Sequence, residues 1–301
     1  MKNSYLFFFL LLFFHQLFAQ TNYIATIHPL QQIVQELVGT TGVVENLLPP
    51  GASPHTYESS PSDIHKIESA DILFLVGPNL DDWIKKFPAR RSLELISLIP
   101  DDSLIYFEKI LGVEPVKNHA DPDMPQRLHA HHHGLDPHFW TDPLLVKSLL
   151  TALTDTLIKL NPVQSQILRD NSIRFAVRLT DLDLKIRELM KPYLGKAVIQ
   201  AHPFLNYFLR RYGLKMGGIV EINPGVDPSP RQLKNMIDWI RRGNISAIFT
   251  QPQLPDRAAR LIGESTGIWV QKLDPIGGTP GRYTYEEILL YNTQLIIEAL
   301  Q

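Results

Sequence analysis

Residues 162–191 read PVQSQILRDNSIRFAVRLTDLDLKIRELMK, and this stretch decides how the chain is organised. Asn161 and Pro162 are typical of a helix start, because an Asn side chain can cap the first amides and proline suits the first turn. Neither glycine nor proline interrupts the stretch before Pro192, which indicates the end of the helix. The stretch therefore predicts one helix of about 30 residues and roughly 45 Å, which is longer than one α/β lobe is wide.

Apolar residues recur along this predicted helix near helical spacing, which supports the helical assignment. They are Val163, Ile167, Ile173, Ala176, Val177, Leu179, Leu182, Ile186 and Leu189. An alternative is a pair of helices broken near Asp181. A continuous helix predicts a rigid connection that resists hinge bending.

Short apolar runs separated by helical patterns lie on both sides of this helix. The runs are 23–27, 43–48, 72–76, 93–99, 197–201, 216–220, 245–250 and 268–273, and helical patterns include 28–38, 203–212, 230–242 and 256–266. Strands that alternate with helices favour parallel sheets covered on both faces. The predicted fold class is α/β, with two Rossmann-like parallel-sheet lobes joined by one long rigid helix. The predicted units are an N-terminal lobe (20–160), the linking helix (161–192) and a C-terminal lobe (193–301).

Residues 1–19, MKNSYLFFFLLLFFHQLFA, are typical of a secretory signal peptide, with Lys2 before an apolar run and the small Ala19 after it. The alternative is a transmembrane anchor, but the apolar run is about half of the roughly 20 residues that a bilayer requires. We expect an exported protein, most simply periplasmic. Since the sequence has no cysteine, a lipid anchor on cysteine is excluded.

Composition excludes several classes of function. Lys and Arg number 29 against 31 Asp and Glu, so the basic surface typical of nucleic-acid binding is not expected. The lack of cysteine also excludes disulfides, thiolate metal sites and cysteine nucleophiles. The unusual count is 11 histidines, and six of them lie between His119 and His138.

Three histidines occupy positions where a metal ligand is plausible. His55 lies in the proline-rich loop PPGASPHTY, and His138 lies between two Asp-Pro turns in DPHFWTDP, where a neighbouring carboxylate could orient its ring. His202 follows a predicted strand at its carboxyl end, where open α/β sheets bind ligands. Taken singly, His55 is more commonly a solvent-exposed loop residue and His202 a buried core residue.

Asp274, in the turn LDPIGG, also follows a predicted strand. Three imidazoles and a carboxylate suit Zn²⁺, at about 2.0–2.1 Å for nitrogen, whereas Mn²⁺ sites carry more oxygen ligands. The spacing between these residues is too wide for a local zinc finger. Only the fold could bring them together, and composition alone does not establish that they meet.

Five motifs in this order resemble the zinc-uptake solute-binding proteins of bacterial ABC transporters, the ZnuA/TroA-like family. The motifs are PPGASPHTYESSPSDI (49–64), DPHFWTDP (136–143), AHPFLNYFLRRYGL (201–214), EINPGVDPSPRQL (221–233) and LDPIGG (273–278). The resemblance implies two α/β lobes with a metal ion in the cleft between them. It also implies capture of Zn²⁺ in the periplasm and delivery to the membrane permease of an ABC transporter, without catalysis. We expect a monomer.

Carried over position by position, His55, His138 and His202 match the histidine ligands of this family, and Asp274 matches the acidic position that completes the shell in many members. Water or another group replaces that carboxylate in some. Manganese-binding relatives generally have a glutamate where this chain has His202, so the resemblance favours zinc. Family members often have a glutamate at the position of Gln251, which puts any indirect role of that charge in doubt.

The segment 119–133 lies where zinc-specific members have a histidine-rich loop. We expect its histidines to form a weak secondary metal loop; they are His119, His129, His131, His132 and His133. The alternative is a hydrated loop with incidental metal affinity. His28 and His65 are expected to be structural.

Two other functions stay open at this point. A manganese-binding transport protein of the same fold is the nearer alternative. A zinc hydrolase would also hold its metal with three histidines and a water. The sequence has neither an HExxH helix nor an obvious glutamate base beside a ligand histidine, so we do not expect an enzyme. An adhesin of the same fold is disfavoured.

Overall fold

A computed structural model describes residues 21–107, 134–221, 227–243 and 245–301. The predicted signal peptide and the histidines of segment 119–133 lie outside these residues. In the described part of the chain, no helix combines the length and the apolar character that a membrane span needs.

Two parallel sheets of four strands each form the centre of the two lobes. The first contains β1 (Tyr23–Ala25), β2 (Val44–Asn46), β3 (Ile72–Leu75) and β4 (Ser92–Glu94), in the order β2-β1-β3-β4. The second contains β5 (Ala197–Gln200), β6 (Lys215–Ile219), β7 (Ile245–Thr250) and β8 (Trp269–Lys272), in the order β6-β5-β7-β8. The predicted α/β class with two parallel-sheet lobes is confirmed.

Helices connect the strands and cover the sheets. They are α1 (His28–Val38), α2 (Pro61–Ser69), α3 (Pro143–Leu160), α4 (Ser165–Met190), α5 (Asn206–Tyr212), α6 (Pro230–Arg242), α7 (Arg257–Thr266) and α8 (Tyr285–Leu300). Ser60, Ser229 and Thr284 each accept a hydrogen bond from the third helical amide and complete a capping box. These caps satisfy amides that the helix leaves without a partner, and so they set where α2, α6 and α8 begin.

The linking helix α4 is one continuous α-helix of 26 residues, with a short 3₁₀ turn at each end. The alternative of a break near Asp181 is therefore wrong. The helix contacts α1 and α3 of the first lobe and α8, which follows the last strand of the second lobe. The division into 20–160, 161–192 and 193–301 stays a prediction.

The buried face of α4 includes only part of the apolar pattern seen in the sequence. It consists of Leu168, Phe175, Leu179, Leu182, Asp183, Ile186 and Met190. Five of the apolar residues at helical spacing are exposed, and these are Val163, Ile167, Ile173, Val177 and Leu189. Two apolar stripes run along this helix at helical spacing, and the sequence alone does not identify the one that its neighbours cover.

An ion-pair network attaches α5 of the second lobe to the linking helix. Arg211 donates from Nε and Nη2 to the carboxylate of Asp183, at 2.7 and 2.8 Å. Its Nε also lies 3.6 Å from Asp142, whose side chain caps α3. Burial opposes the charge of Asp183, but the bonds from Arg211 outweigh that effect and hold the pKa of this carboxyl below its ordinary value. The network fixes the second lobe against the helix that joins it to the first.

Candidate metal centre

His55, His138 and His202 lie together at the meeting of the two lobes, with one ring nitrogen of each within 4.8 Å of the others. The Nε2 atoms of His55 and His138 are 3.4 Å apart, and those of His202 and His55 are 3.1 Å apart. His138 and His202 are almost completely buried, and His55 is partly buried. Positions far apart in the sequence therefore form a single cluster of imidazoles.

The spacing of these nitrogen atoms fits a tetrahedral zinc ion. With Zn–N bonds of 2.0–2.1 Å, two ligand nitrogens of a tetrahedron are about 3.3–3.4 Å apart. The measured separations of 3.4 and 3.1 Å lie at or just below this value. The three imidazoles are thus almost at coordination distance, and little rearrangement is needed for them to receive an ion.

The loop that carries His55 is fixed to the first lobe. The Trp83 indole donates to the carbonyl oxygen of Pro54 at 3.0 Å, and its ring contacts the ring of Tyr57. The hydroxyl of Tyr57 donates to Asp63 at 2.8 Å. Burial and this hydrogen bond to Asp63 raise the pKa of Tyr57 to about 12. Because the loop is held on both sides of His55, little ordering entropy is left to lose on ligand binding.

Asp136 orients His138. Its Oδ1 lies 2.8 Å from Nδ1 of His138 and also accepts a bond from the His138 amide at 3.0 Å. A carboxylate beside Nδ1 favours the tautomer in which Nδ1 carries the proton, and this leaves the Nε2 lone pair directed at the cluster. The expected carboxylate partner of His138 is therefore Asp136.

The second lobe in turn holds Asp136. Asn206 donates from Nδ2 to Asp136 Oδ2 at 2.9 Å, and the Tyr207 hydroxyl donates to the Asp136 carbonyl oxygen at 2.8 Å. Burial and the charge of Asp136 raise the pKa of Tyr207. Helix α5 of the second lobe therefore helps to position His138, which follows the strands of the first lobe.

Trp140 makes a further connection between the lobes beside the cluster. Its ring contacts the His138 ring, and its indole donates to the carbonyl oxygen of Pro275 at 2.9 Å. The hydroxyl of Tyr285 donates to the Trp140 carbonyl oxygen at 2.7 Å. These bonds join the segment of His138 to the segment that contains Asp274.

His202 lies where the sequence predicted it, just beyond the carboxyl end of β5. The amide of Ala201 donates to Phe249 on β7, and the amide of Glu221 donates to Ala201, at 2.7 and 2.8 Å. These bonds extend the sheet pairing up to the residue before His202. In the strand order β6-β5-β7-β8, the connections that follow β5 and β7 run to opposite sides of the sheet. The crevice between the carboxyl ends of two such strands is where open α/β sheets bind ligands.

Asp274 does not belong to the three-histidine group among the described residues. Its Oδ2 lies 3.0 Å from Nε of Arg282, and its Oδ1 accepts a hydrogen bond from Gln253 at 2.9 Å. The role of Asp274 as a ligand stays a prediction. The sequence analysis did not identify Arg282 or Gln253, because neither stands in a motif that indicates metal chemistry.

Among the described residues, His28 and His65 lie outside the three-histidine cluster. His28 is bonded to Gln31 and to the carbonyl oxygen of Tyr283, and His65 lies on α2 with 83% of its side chain exposed. Gln251 is buried. The five histidines of segment 119–133 lie outside the described residues.

Two parallel α/β lobes, a continuous linking helix and imidazoles that converge between the lobes define a metal-binding protein of the two-lobe solute-binding class. The chain belongs to the family described as ZnuA, zinc-uptake complex component A, periplasmic, which matches residues 24–299. This is a family of transport-related binding proteins and not of enzymes, so the hydrolase alternative is wrong.

Named relatives agree with this assignment. The chain is 27% identical over 263 residues to the high-affinity zinc uptake system protein ZnuA of Yersinia pestis, which covers 84% of this chain and 82% of the relative. It is 24% identical over 258 residues to the zinc-binding lipoprotein AdcA of Streptococcus pneumoniae, which covers 85% of this chain but 50% of AdcA. A solved structure of ZnuA shares the fold, with a TM-score of 0.77 and 22% identity over 94% of this chain and all of the other.

Proposed function

We propose that this protein captures Zn²⁺ in the periplasm through His55, His138 and His202 and delivers it to the membrane permease of an ABC transporter for zinc uptake. The observation that carries the proposal is the convergence of three imidazoles, with His55 Nε2 at 3.4 Å from His138 Nε2 and 3.1 Å from His202 Nε2, close to the spacing in a tetrahedral zinc site. The zinc named in the descriptions of the relatives supports the same ion.

The donor set favours Zn²⁺ over Mn²⁺. Imidazole nitrogen suits zinc, whereas manganese prefers carboxylate, carbonyl and water oxygen. The cluster offers three imidazoles, and the carboxylate expected to join them forms an ion pair with Arg282. A manganese carrier would need more oxygen ligands than the described cluster supplies.

The hydrogen bonds around the cluster support binding with little lobe movement. Asp136 already orients His138, and Trp140, Asn206 and Tyr207 already join the two lobes. Release to the permease then requires local movement of the ligand loops rather than wide opening of the lobes. We propose a monomer, exported by the segment 1–19, in which segment 119–133 binds zinc weakly near the cleft.

The test compares two histidine variants by zinc titration against a fluorescent chelator at pH 7.5. His202→Ala removes one of three ligands and should weaken zinc binding by at least about 100-fold, since a lost ligand costs more than the 10–100-fold of a lost supporting residue. His65→Ala, an exposed histidine on α2, is the matched control and should bind zinc like the wild type.

Deletion of 119–133 should cost far less affinity than His202→Ala. Equal losses in these two variants would move the principal site out of the cleft and overturn the proposal. Zinc must also displace protons from the imidazoles, so its affinity should fall between pH 7.5 and 5.5. An affinity that does not change over this range would contradict imidazole ligation.

A further inference from the structure

Asp274, which the sequence predicts to be a metal ligand, has its carboxylate oxygen atoms engaged by the protein. It lies just beyond β8 and is buried. Its backbone is fixed by Asn292, which accepts from the Asp274 amide at 2.7 Å and donates to the Asp274 carbonyl oxygen at 2.8 Å. The fold therefore fixes the backbone that carries the carboxylate.

Both carboxylate oxygens have partners. Oδ1 accepts bonds from Gln253 Nε2 at 2.9 Å, the Gly277 amide at 3.0 Å and the Ile276 amide at 3.3 Å. Oδ2 forms the ion pair with Arg282 Nε at 3.0 Å. A carboxylate that ligates a metal ion must direct an oxygen lone pair at the ion. Oδ1 already accepts from three donors, and the guanidinium of Arg282 sets the position of Oδ2.

Arg282 is itself held in place. Its Nε and Nη2 donate to the hydroxyl of Thr279, and its amide donates to the Thr279 carbonyl oxygen at 2.9 Å. Its guanidinium lies over the ring of Tyr291, 4.3 Å from the ring centroid. About four fifths of its side chain is covered, so solvent screens the ion pair with Asp274 only partly. The guanidinium is thus fixed before any metal arrives.

We propose that Arg282 is a specificity-determining residue that holds Asp274 out of the coordination sphere, so that the metal takes three imidazoles from the protein. The inference rests on the proposed function and adds the reason for its choice of metal. Without the ion pair, the carboxylate would add an anionic oxygen ligand. That addition benefits Mn²⁺ more than Zn²⁺, because carboxylate oxygen suits manganese and three imidazoles already suit zinc.

The test measures Mn²⁺ and Zn²⁺ affinity by chelator competition for the wild type and four variants. Arg282→Met keeps the length of the side chain without its charge and should strengthen Mn²⁺ binding by about tenfold or more, which equals about 1.4 kcal/mol. Arg282→Lys keeps the charge and should stay within about threefold of the wild type for both ions. Asp274→Asn should leave the Zn²⁺ affinity within about threefold, since in this proposal the carboxylate does not bind the ion.

The double variant Arg282→Met/Asp274→Asn separates release of the carboxylate from a general effect of removing a positive charge. The gain in Mn²⁺ affinity should disappear in it, because the gain acts through Asp274. A gain that persists in the double variant, an Arg282→Met variant that folds and binds Mn²⁺ like the wild type, or a tenfold loss of Zn²⁺ affinity in Asp274→Asn would each overturn the proposal. Thermal unfolding of every variant identifies any that fails to fold, and if Arg282→Met is among them, the Zn²⁺ affinity of Asp274→Asn still decides whether the carboxylate binds the ion.

The same titrations separate this inference from the proposed function. Failure of the proposed function appears as weak Zn²⁺ binding by the wild type, which retains all three histidines. Failure of the inference appears as tight Zn²⁺ binding by the wild type with no change in metal preference on loss of Arg282.

Discussion

Asp136→Asn should weaken zinc binding although the residue does not touch the ion. The carboxylate accepts from three N–H groups, the His138 amide at 3.0 Å, His138 Nδ1 at 2.8 Å and Asn206 Nδ2 at 2.9 Å. An amide at this position has one oxygen and one NH₂ group. Whichever way it turns, its NH₂ group faces an existing donor.

Neighbouring side chains prevent a simple adjustment to the new amide. Asn206 cannot turn to present its oxygen, because Asn206 Oδ1 accepts a bond from Gln200 Nε2 at 2.7 Å. Gln200 is fixed in turn, since its Oε1 accepts from the Leu205 amide at 2.7 Å. The variant therefore loses either the bond that orients His138 or the bond that joins the two lobes. Loss of such a supporting partner typically costs 10–100-fold in metal affinity, or about 1.4–2.7 kcal/mol.

The assay is zinc titration against a fluorescent chelator at pH 7.5, with thermal unfolding measured on the same samples. Asp142→Asn is the matched control, because Asp142 is a buried carboxylate in the same segment whose oxygen caps α3. It should reduce stability and leave zinc affinity within about threefold. If Asp136→Asn binds zinc within twofold of the wild type while His138→Ala loses at least 100-fold, the positioning role of Asp136 is refuted.

Two further predictions concern stability. Burial chiefly raises the pKa of Asp81 to about 6, against bonds from Thr26 and the amides of Val76 and Gly77. Since the unfolded value is about 3.9, the folded chain binds more protons between these values, and the contribution of Asp81 to stability falls by about 2 kcal/mol as pH rises from 4 to 6. Urea unfolding with a chelator present measures the free energy of unfolding of the wild type and of Asp81→Asn at both pH values. The difference between the two proteins should change by that amount from pH 4 to 6, and a difference that stays constant would contradict the prediction. On α4, Phe175→Ala should cost about 3–5 kcal/mol because the ring is buried, whereas Ile173→Ala, 63% exposed, should stay within about 0.5 kcal/mol. Equal losses in urea unfolding would mean that the buried face is assigned wrongly.

The strand and helix pattern was predictable because local chemistry carries it. Helix bounds at 28–38 and 230–242 match the structure, since proline and glycine lie at or near their ends. The run 93–99 was less clear, and only Ser92–Glu94 pairs in the sheet before a 3₁₀ turn follows. Elements at sheet edges are short, and their limits depend on pairing that the sequence does not display.

The candidate ligands were identifiable from sequence, but their supporting contacts were not. His55, His138 and His202 stand in unusual proline-rich or strand-end contexts, and motif order linked them to a family. Asn206 and Arg282 stand in ordinary contexts, since an asparagine at a helix start and an arginine after a glycine are common. Their roles depend on contacts with residues from other segments, Asp136 for Asn206 and Asp274 for Arg282.

The sequence by itself determined two α/β units, a long helix between them and the identity of the three imidazoles, because periodicity, proline and motif order are local properties. Only the tertiary structure decided which stripe of α4 is buried, that His55 Nε2 lies 3.4 and 3.1 Å from Nε2 of His138 and His202, and that Asp274 forms an ion pair with Arg282. The physical reason is that coordination, burial and ion pairing depend on distances between segments that the chain brings together only on folding.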